Sequence, residues 1–209
     1  MRKWYCVPMM TLCLILFGCG AGQGEAEEQA AQKEYRNMHG CIMEAEVAGG
    51  IGEENACEFT LRCEYDPEGE SIVEVLAPET VAGIRAAVGS DTLSVIYEDL
   101  CLPAGALSRE RISPAACLPW LMDSLRDGWL MEESEEELNG IPCLRLCLDE
   151  TDDGAKMEAT VWLRKEDWTP VRGEIAVDGE KILTAEFTSF EFCDTITEST
   201  DERSAGAPS

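Results

Sequence analysis

The chain has 209 residues, of which 45% are hydrophobic, a share typical of a globular domain with a core. It carries 42 Asp and Glu residues against 16 Lys and Arg residues, which gives a net charge of −26 at pH 7. Nucleic acids and anionic lipid surfaces are attracted by clustered basic residues, and here these are scattered singly among carboxylates. The composition therefore excludes nucleic acid as a partner and predicts a solvated acidic surface.

The first nineteen residues have the pattern of a bacterial lipoprotein signal. Arg2 and Lys3 precede an apolar run that ends in Leu16-Phe17-Gly18-Cys19. An apolar residue followed by a small residue and Cys is the cleavage box of such signals. A transmembrane helix is the alternative, but the apolar stretch has fourteen residues and contains Pro8, whereas a span needs about 20. We expect residues 1–18 to be removed and Cys19 to be lipidated.

Lipidation of Cys19 predicts both a location and a domain organisation. Acyl chains stabilise membrane attachment by about 0.8 kcal/mol per buried methylene, so the chain is expected on the extracytoplasmic face of the cell membrane. Residues 19–34 are predicted to be a lipid anchor and flexible spacer, 35–197 a folded domain, and 198–209 a disordered tail. Residues 1–18 contain two basic and no acidic residues, so their removal takes the net charge from −26 to −28.

Eight further cysteines follow Cys19 in the mature chain. Cys57 and Cys63 would lie about 20 Å apart on one strand, and Cys143 and Cys147 about 13 Å apart, so neither pair can form a bridge. The even count permits four disulfides between strands. Small buried apolar thiols are the equal alternative.

Period-two alternation, interrupted by turn residues about every ten positions, predicts an antiparallel sheet of nine or ten strands. Apolar residues alternate with polar ones over 57–64, 92–98 and 157–164, although Trp162 falls on the polar side. Asn139-Gly140 and Asp178-Gly179 are typical of tight hairpins. Glu132–Glu137 has the composition of a solvated loop, with a cation site as the less favoured alternative.

One helix is predicted from Ser113, a possible cap, and Pro114 to Gly128. Leu118, Leu121, Met122 and Leu125 follow the spacing of an apolar helix face. Pro119 leaves open a turn followed by a shorter helix. In either case the segment is expected to lie against the sheet.

No arrangement of residues predicts an enzyme, a cofactor or a metal site. The mature chain has one histidine, His39, which argues against a Ser-His-Asp or Cys-His arrangement. Cys-x-x-Cys does not occur, so zinc and thioredoxin-like chemistry are not expected. Asp149–Gly154 resembles a calcium loop, but Thr160 stands where that loop needs a carboxylate.

A curved sheet with a helix across it can form a concave apolar pocket, the usual site for a lipid or for a partner's segment. The alternative is that the same residues form a closed core. The candidate ligand-binding residues are Phe59, Leu61, Val95, Tyr97, Leu121, Leu125, Leu144, Leu146, Val161 and Leu163.

The order of segments over residues 35–193 resembles the LolA/LolB-like lipoproteins of Gram-positive bacteria. The resemblance begins with the lipid anchor and the acidic spacer. The later segments that carry it are Ala45-Glu46-Val47, Val73 to Ile84, Val95 to Leu100, Ser113-Pro114 and Trp168-Thr169-Pro170. It implies a mainly β fold with a few helices: a curved antiparallel half-barrel whose concave face is covered by helices.

The resemblance also implies two functions, neither enzymatic. Carrier proteins of this family hold lipoprotein acyl chains in an apolar cavity, whereas GerS-like relatives bind a cell-wall amidase. We therefore expect a membrane-anchored protein that binds a lipid or lipoprotein acyl chain, or alternatively an adaptor or regulator that binds a cell-envelope protein. A carrier requires an open cavity, and an adaptor requires an exposed face or edge strand.

Overall fold

A computed structural model describes residues 30–49, 57–90, 92–97, 100–106, 112–150 and 156–193. The predicted signal peptide, Cys19 and the predicted tail lie outside these residues. Residues 30–37 are helical (α1), and the second helix is α2 (Pro114–Asp127). The strands are β1 (Cys41–Gly49), β2 (Cys57–Tyr65), β3 (Ser71–Ala77), β4 (Arg85–Val88), β5 (Thr92–Tyr97), β6 (Leu100–Ala106), β7 (Trp129–Leu138), β8 (Ile141–Asp149), β9 (Met157–Arg164), β10 (Pro170–Val177) and β11 (Glu180–Phe192).

All eleven strands belong to one antiparallel sheet in the order β6-β5-β4-β3-β2-β1-β11-β10-β9-β8-β7. The first and last strands of the chain pair in the middle, where Cys41 is opposite Phe192. The strands before and after α2, which are β6 and β7, form the two edges. The sheet is therefore open.

The position of α2 requires the sheet to curve. Its Cα atoms lie within 8 Å of Cα atoms in eight adjacent strands, from β4 to β8 along the sheet. Eight flat strands would be about 34 Å wide at ~4.8 Å per step, whereas a fourteen-residue helix is only about 21 Å long. The strands must therefore wrap around the helix. The predicted class, mainly β with a half-barrel covered by helices, is confirmed.

The predicted alternation holds in the strands. In β9, Met157, Ala159, Val161 and Leu163 are buried, and β1 buries every second residue from Cys41. Asn139-Gly140 and Asp178-Gly179 adopt positive φ angles in the predicted hairpins, which an Asn-Gly or Asp-Gly pair tolerates well. Residues 151–155, between β8 and β9, lie outside the described residues.

Helix α2 is continuous from Pro114 to Asp127, so the turn-and-shorter-helix alternative is wrong. Pro119 is the sixth residue of the helix. It has no backbone N–H, so the helix loses one backbone hydrogen bond at this position. Ser113 stands at the N-terminal cap position but its side chain makes no capping hydrogen bond. Among the described helices, none is long and apolar enough to cross a membrane.

Helix α1 packs on the same concave face as α2. Tyr35 is fully buried, its ring lies 5.5 Å from that of Phe192, and its hydroxyl donates to the Trp168 carbonyl oxygen at 2.7 Å. Arg36 donates from Nε to the Arg126 carbonyl oxygen at the end of α2. Residues 30–34, within the predicted spacer, are thus helical, with Ala31 buried.

Glu132–Glu137 is not a loop, and that prediction is wrong. These residues form most of β7, which pairs with β8 along its length. The glutamates are tolerated because an edge strand is half-solvated and because Arg145 and Lys165 on neighbouring segments form ion pairs with three of them.

Candidate functional site

The structure brings most of the predicted ligand-binding residues together in one interior cluster. Seven of them are at most 1% exposed: Leu61, Leu121, Leu125, Leu144, Leu146, Val161 and Leu163. Phe59 is partly buried and packs against this cluster, Val95 is half-buried, and Tyr97 lies in β5 with its side chain outside the described part. The seven buried side chains fill the space between α2 and the sheet. Their role in ligand binding stays a prediction.

The close contact of α2 with the sheet depends on Gly173 in β10. A Cβ atom at this position would lie 2.6 Å from Cδ1 of Leu121 and 3.3 Å from Cδ2. The leucine side chain rests on bare backbone, so any larger residue at this position would require the buried Leu121 side chain to shift. This contact closes the middle of the concave face.

A cavity of about 290 Å³ opens at the rim, where the first half of α2 meets the β2–β3 and β4–β5 turns. One wall is apolar and the mouth carries carboxylates. The apolar wall comprises Val88, Ile112, Ala116, Pro119 and Trp120, and the mouth includes Asp66, Asp123 and Glu150. Its volume is at the lower end of small-molecule pockets, which span about 300–1,000 Å³.

Tyr65 connects the rim cavity to the core. This residue is 2% exposed, and its hydroxyl donates to Asp123 Oδ1 at 2.5 Å while it accepts from Arg126 at 3.3 Å. Burial, with a further contribution from Asp123, raises the pKa of Tyr65 well above its ordinary value. Asp123 is exposed as a residue, but the protein around its carboxyl partly desolvates it and raises its pKa, against the lowering effect of the Tyr65 hydrogen bond and Arg126. The phenol therefore stays protonated and fixes the end of β2 to α2.

The described cysteines are unbridged and four of them are buried, of which Cys41, Cys63 and Cys117 belong to the main core cluster. Burial raises the pKa of the thiols of Cys41 and Cys63, and it raises that of Cys117 to about 12. A thiol in this environment is a poor nucleophile because its thiolate is scarcely formed. These residues act as small apolar core side chains. The side chain of Cys101 lies outside the described part.

The convex face carries a stacked cluster around Trp162, the residue that broke the alternation of β9. The guanidinium carbons of Arg145 and Arg172 lie 5.8 Å and 5.6 Å from the centre of its ring. Its indole N–H donates to Glu136 at 2.8 Å. Trp162 is therefore only 8% exposed although it points away from the helices. Cation–π contacts and the hydrogen bond account for an aromatic residue on the polar side.

A broader depression of about 640 Å³ lies on the same side, over β1, β2, β10 and β11. Its basic residues already form ion pairs: Arg172 with Glu174 and Glu186, and Lys181 with Glu174. Both cations of the depression are thus engaged within the chain, and Glu46 and Glu58 add further negative charge to its lining.

Two exposed large apolar residues lie close together in sequence on the open edge formed by β7. Trp129 is 77% exposed and Met131 is 41% exposed, and Leu102 on the opposite edge strand β6 is 48% exposed. They are followed by five glutamates, and a register shift falls between Leu130 and Glu132. Sequence reasoning missed this surface, because the acidic run was interpreted as a loop. The Trp-Leu-Met run directly before the glutamates was the available signal.

No protein-family model matches this chain, and no curated protein matches it either. Several solved structures are broadly similar. A LolA superfamily protein from Nitrosomonas europaea is 11% identical with a TM-score of 0.45, over 82% of this chain and 94% of that one. A DUF1329 family protein from Desulfovibrio piger is 14% identical with a TM-score of 0.49, over 86% and 97%. LprF from Mycobacterium bovis is 12% identical with a TM-score of 0.45, over 83% and 95%.

One of these three is a LolA superfamily protein, and at such identities nothing distinguishes a GerS-like branch for this chain.

Proposed function

We propose that this protein is a non-enzymatic adaptor that binds another protein of the cell envelope through its outer surface. The filled interior supports this function over that of a carrier. A carrier needs space for acyl chains between the helix and the sheet, and that space is occupied by Leu121, Leu125 and the side chains facing them. Opening it would require α2 to leave its contact with Gly173.

The exposed Trp129 and Met131 on an edge strand are the observation that carries the proposal. Single exposed apolar residues are common, but these two lie together beside a strand edge that pairs with no other described strand. An edge strand offers backbone donors and acceptors to another chain, and a tryptophan beside it supplies apolar contact area. This combination is typical of a protein-binding surface.

Attachment to the membrane through Cys19 belongs to the same proposal. A net charge of −28 on the mature chain repels anionic lipid headgroups, so the domain would stand away from the membrane at the end of its spacer. Acyl chains on Cys19 would hold the protein in place without contact between the domain and lipid. An adaptor on the extracytoplasmic face could then recruit its partner to the membrane.

Site-specific photo-crosslinking in the source cell tests the proposal. A photoreactive residue is placed at position 131 and, as a control, at the exposed position 68 in the β2–β3 turn. We expect one envelope protein to be cross-linked in stoichiometric yield from position 131 and not from position 68. Equal labelling from both positions, or none from either, would exclude a protein partner at this edge.

Binding of an apolar ligand is the second candidate function, and the rim cavity is the observation that favours it. Its apolar wall continues into the core through Ala116 and Tyr65. At about 290 Å³ it could accept a short acyl segment, and the carboxylates at its mouth would disfavour an anionic headgroup. A neutral or cationic amphiphile is therefore the chemistry that fits.

A dansyl-labelled alkylamine tests this second function by fluorescence titration. Binding that is lost in Ala116→Phe, which fills the cavity, but kept in Ala48→Ser on the convex side would support it. Equal affinity of both variants would exclude the rim cavity as the binding site.

A further inference from the structure

Strand β7 is a ten-residue edge with one side free among the described strands. Its inner side pairs with β8 from Trp129 opposite Asp149 to Leu138 opposite Ile141, and no described strand follows it on the other side. Proteins commonly protect such edges with charges or bulges. β7 has both, since a register shift falls at Met131 and half of its residues are glutamates.

The glutamates give this edge a local excess of negative charge. Arg145 forms ion pairs with Glu132 and Glu136 at 3.4 Å and 3.7 Å, and Lys165 pairs with Glu135 at 2.8 Å. These two cations form ion pairs with three of the five glutamates of the strand. Glu137, which is exposed at the hairpin end of the strand, offers a carboxylate to an incoming positive charge.

This charge argues against the two occupants that the chain itself could provide. A second copy pairing through β7 would place two glutamate-rich strands side by side, and like charges on facing strands are destabilising. The two ends of the mature chain are also acidic: residues 19–29 hold three acids and no base, and residues 194–209 hold four acids and one base. Pairing of β7 with a second copy or with either end of its own chain is therefore unfavourable.

We propose that β7 pairs with an extended basic segment of a partner protein, which adds a strand to this edge of the sheet. The inference rests on the proposed adaptor function and specifies the partner's chemistry. Backbone hydrogen bonds along β7 would supply affinity, and Lys or Arg side chains facing the glutamates would supply specificity. Trp129 would contact an apolar residue or stack with a cation at one end of the added strand.

A synthetic ten-residue peptide of alternating Lys and Val is the probe, titrated against the full chain in neutral detergent micelles. We expect binding that protects the β7 amides from hydrogen exchange. An alternating Glu-Val peptide should not bind, and an N-methylated Lys-Val peptide, which cannot form the backbone ladder, should bind at least tenfold more weakly.

Matched charge variants locate the site. Glu137→Lys in β7 and Glu68→Lys in the β2–β3 turn change the net charge equally at exposed positions. We expect Glu137→Lys and Trp129→Ser to weaken binding several-fold and Glu68→Lys to leave it within twofold. Equal weakening by both charge variants, or exchange protection elsewhere than β7, would overturn the inference as non-specific attraction. Self-association in which the β7 amides are protected from exchange without any peptide would assign the edge to a second copy instead.

The crosslinking experiment separates failure of this inference from failure of the adaptor function. A protein captured from position 131 whose yield is unchanged by Glu137→Lys would leave the adaptor function standing and refute the basic-segment inference. Capture of no protein would refute both.

Discussion

Leu121 of α2 rests directly on the backbone of Gly173 in β10, at a distance that leaves no room for a Cβ atom. The two residues are 52 positions apart in the chain, and their contact brings the helix down onto the middle of the sheet. The interior is therefore closed where a carrier would need it open.

Substitution of Gly173 tests this contact. We expect Gly173→Ala to lower the free energy of unfolding by about 1–3 kcal/mol, because the added methyl overlaps a fully buried leucine. Urea denaturation of the single variants and of Gly173→Ala with Leu121→Ala measures the coupling. The double variant should lose less than the sum of the two single losses; strict additivity would contradict the contact.

The Arg145–Trp162–Arg172 stack should stabilise the convex face. Trp162→Phe keeps an aromatic ring but removes the hydrogen bond to Glu136, and we expect a loss of about 1 kcal/mol. Trp162→Ala removes the ring as well and should cost about 3 kcal/mol. Thermal and urea unfolding measure both values. Equal losses in the two variants would mean that the ring itself contributes nothing.

Asp123 should make the domain less stable as the pH rises. Although Asp123 is exposed as a residue, partial desolvation of its carboxyl raises its pKa in the folded state, so its ionisation is easier in the unfolded chain. The contribution of Asp123 to the free energy of unfolding is therefore greatest below its ordinary pKa of about 4. This contribution is lost as the pH rises through the raised pKa of the folded state. We expect the stability of Asp123→Asn relative to the unsubstituted protein to increase from about pH 4 to pH 7.

Urea midpoints at the two pH values check this, with Asp127→Asn as the control for loss of one charge at the same helix end. If the stability of the two variants changed with pH to a similar extent, the contact with Tyr65 would not be the cause of the pH dependence assigned to Asp123.

The buried thiols should resist alkylation in the folded protein. Cys41, Cys63 and Cys117 have raised pKa values and are at most 1% exposed, whereas Cys57, Cys147 and Cys193 are partly accessible. Treatment with iodoacetamide at about pH 8, followed by peptide mass spectrometry, should label the second group first. The first group should react only after unfolding. Early labelling of Cys117 would mean that α2 opens readily.

The sequence predicted the sheet well because local alternation decides which face of a strand is buried. The β9 pattern and the outward position of Trp162 could both be read directly, as could the hairpins at Asn139-Gly140 and Asp178-Gly179. The helix was also predictable, although Pro119 left its continuity open. These features depend on neighbours within a few positions.

Two features could not be predicted locally. The closed interior depends on how nearly α2 approaches the sheet, which Leu121 and Gly173 determine together across a long sequence separation. The strand at Glu132–Glu137 depends on pairing with β8 and on the cations Arg145 and Lys165, so its composition alone indicated a loop. Both depend on long-range packing rather than on propensity.

Native mass spectrometry of the full chain, extracted gently from its own cell envelope, tests the adaptor function most directly. The account predicts a complex with one envelope protein in fixed stoichiometry, and no lipid beyond the acyl chains on Cys19. A lipid that is held non-covalently, released on denaturation and accompanied by no protein partner would contradict it and would favour ligand binding instead.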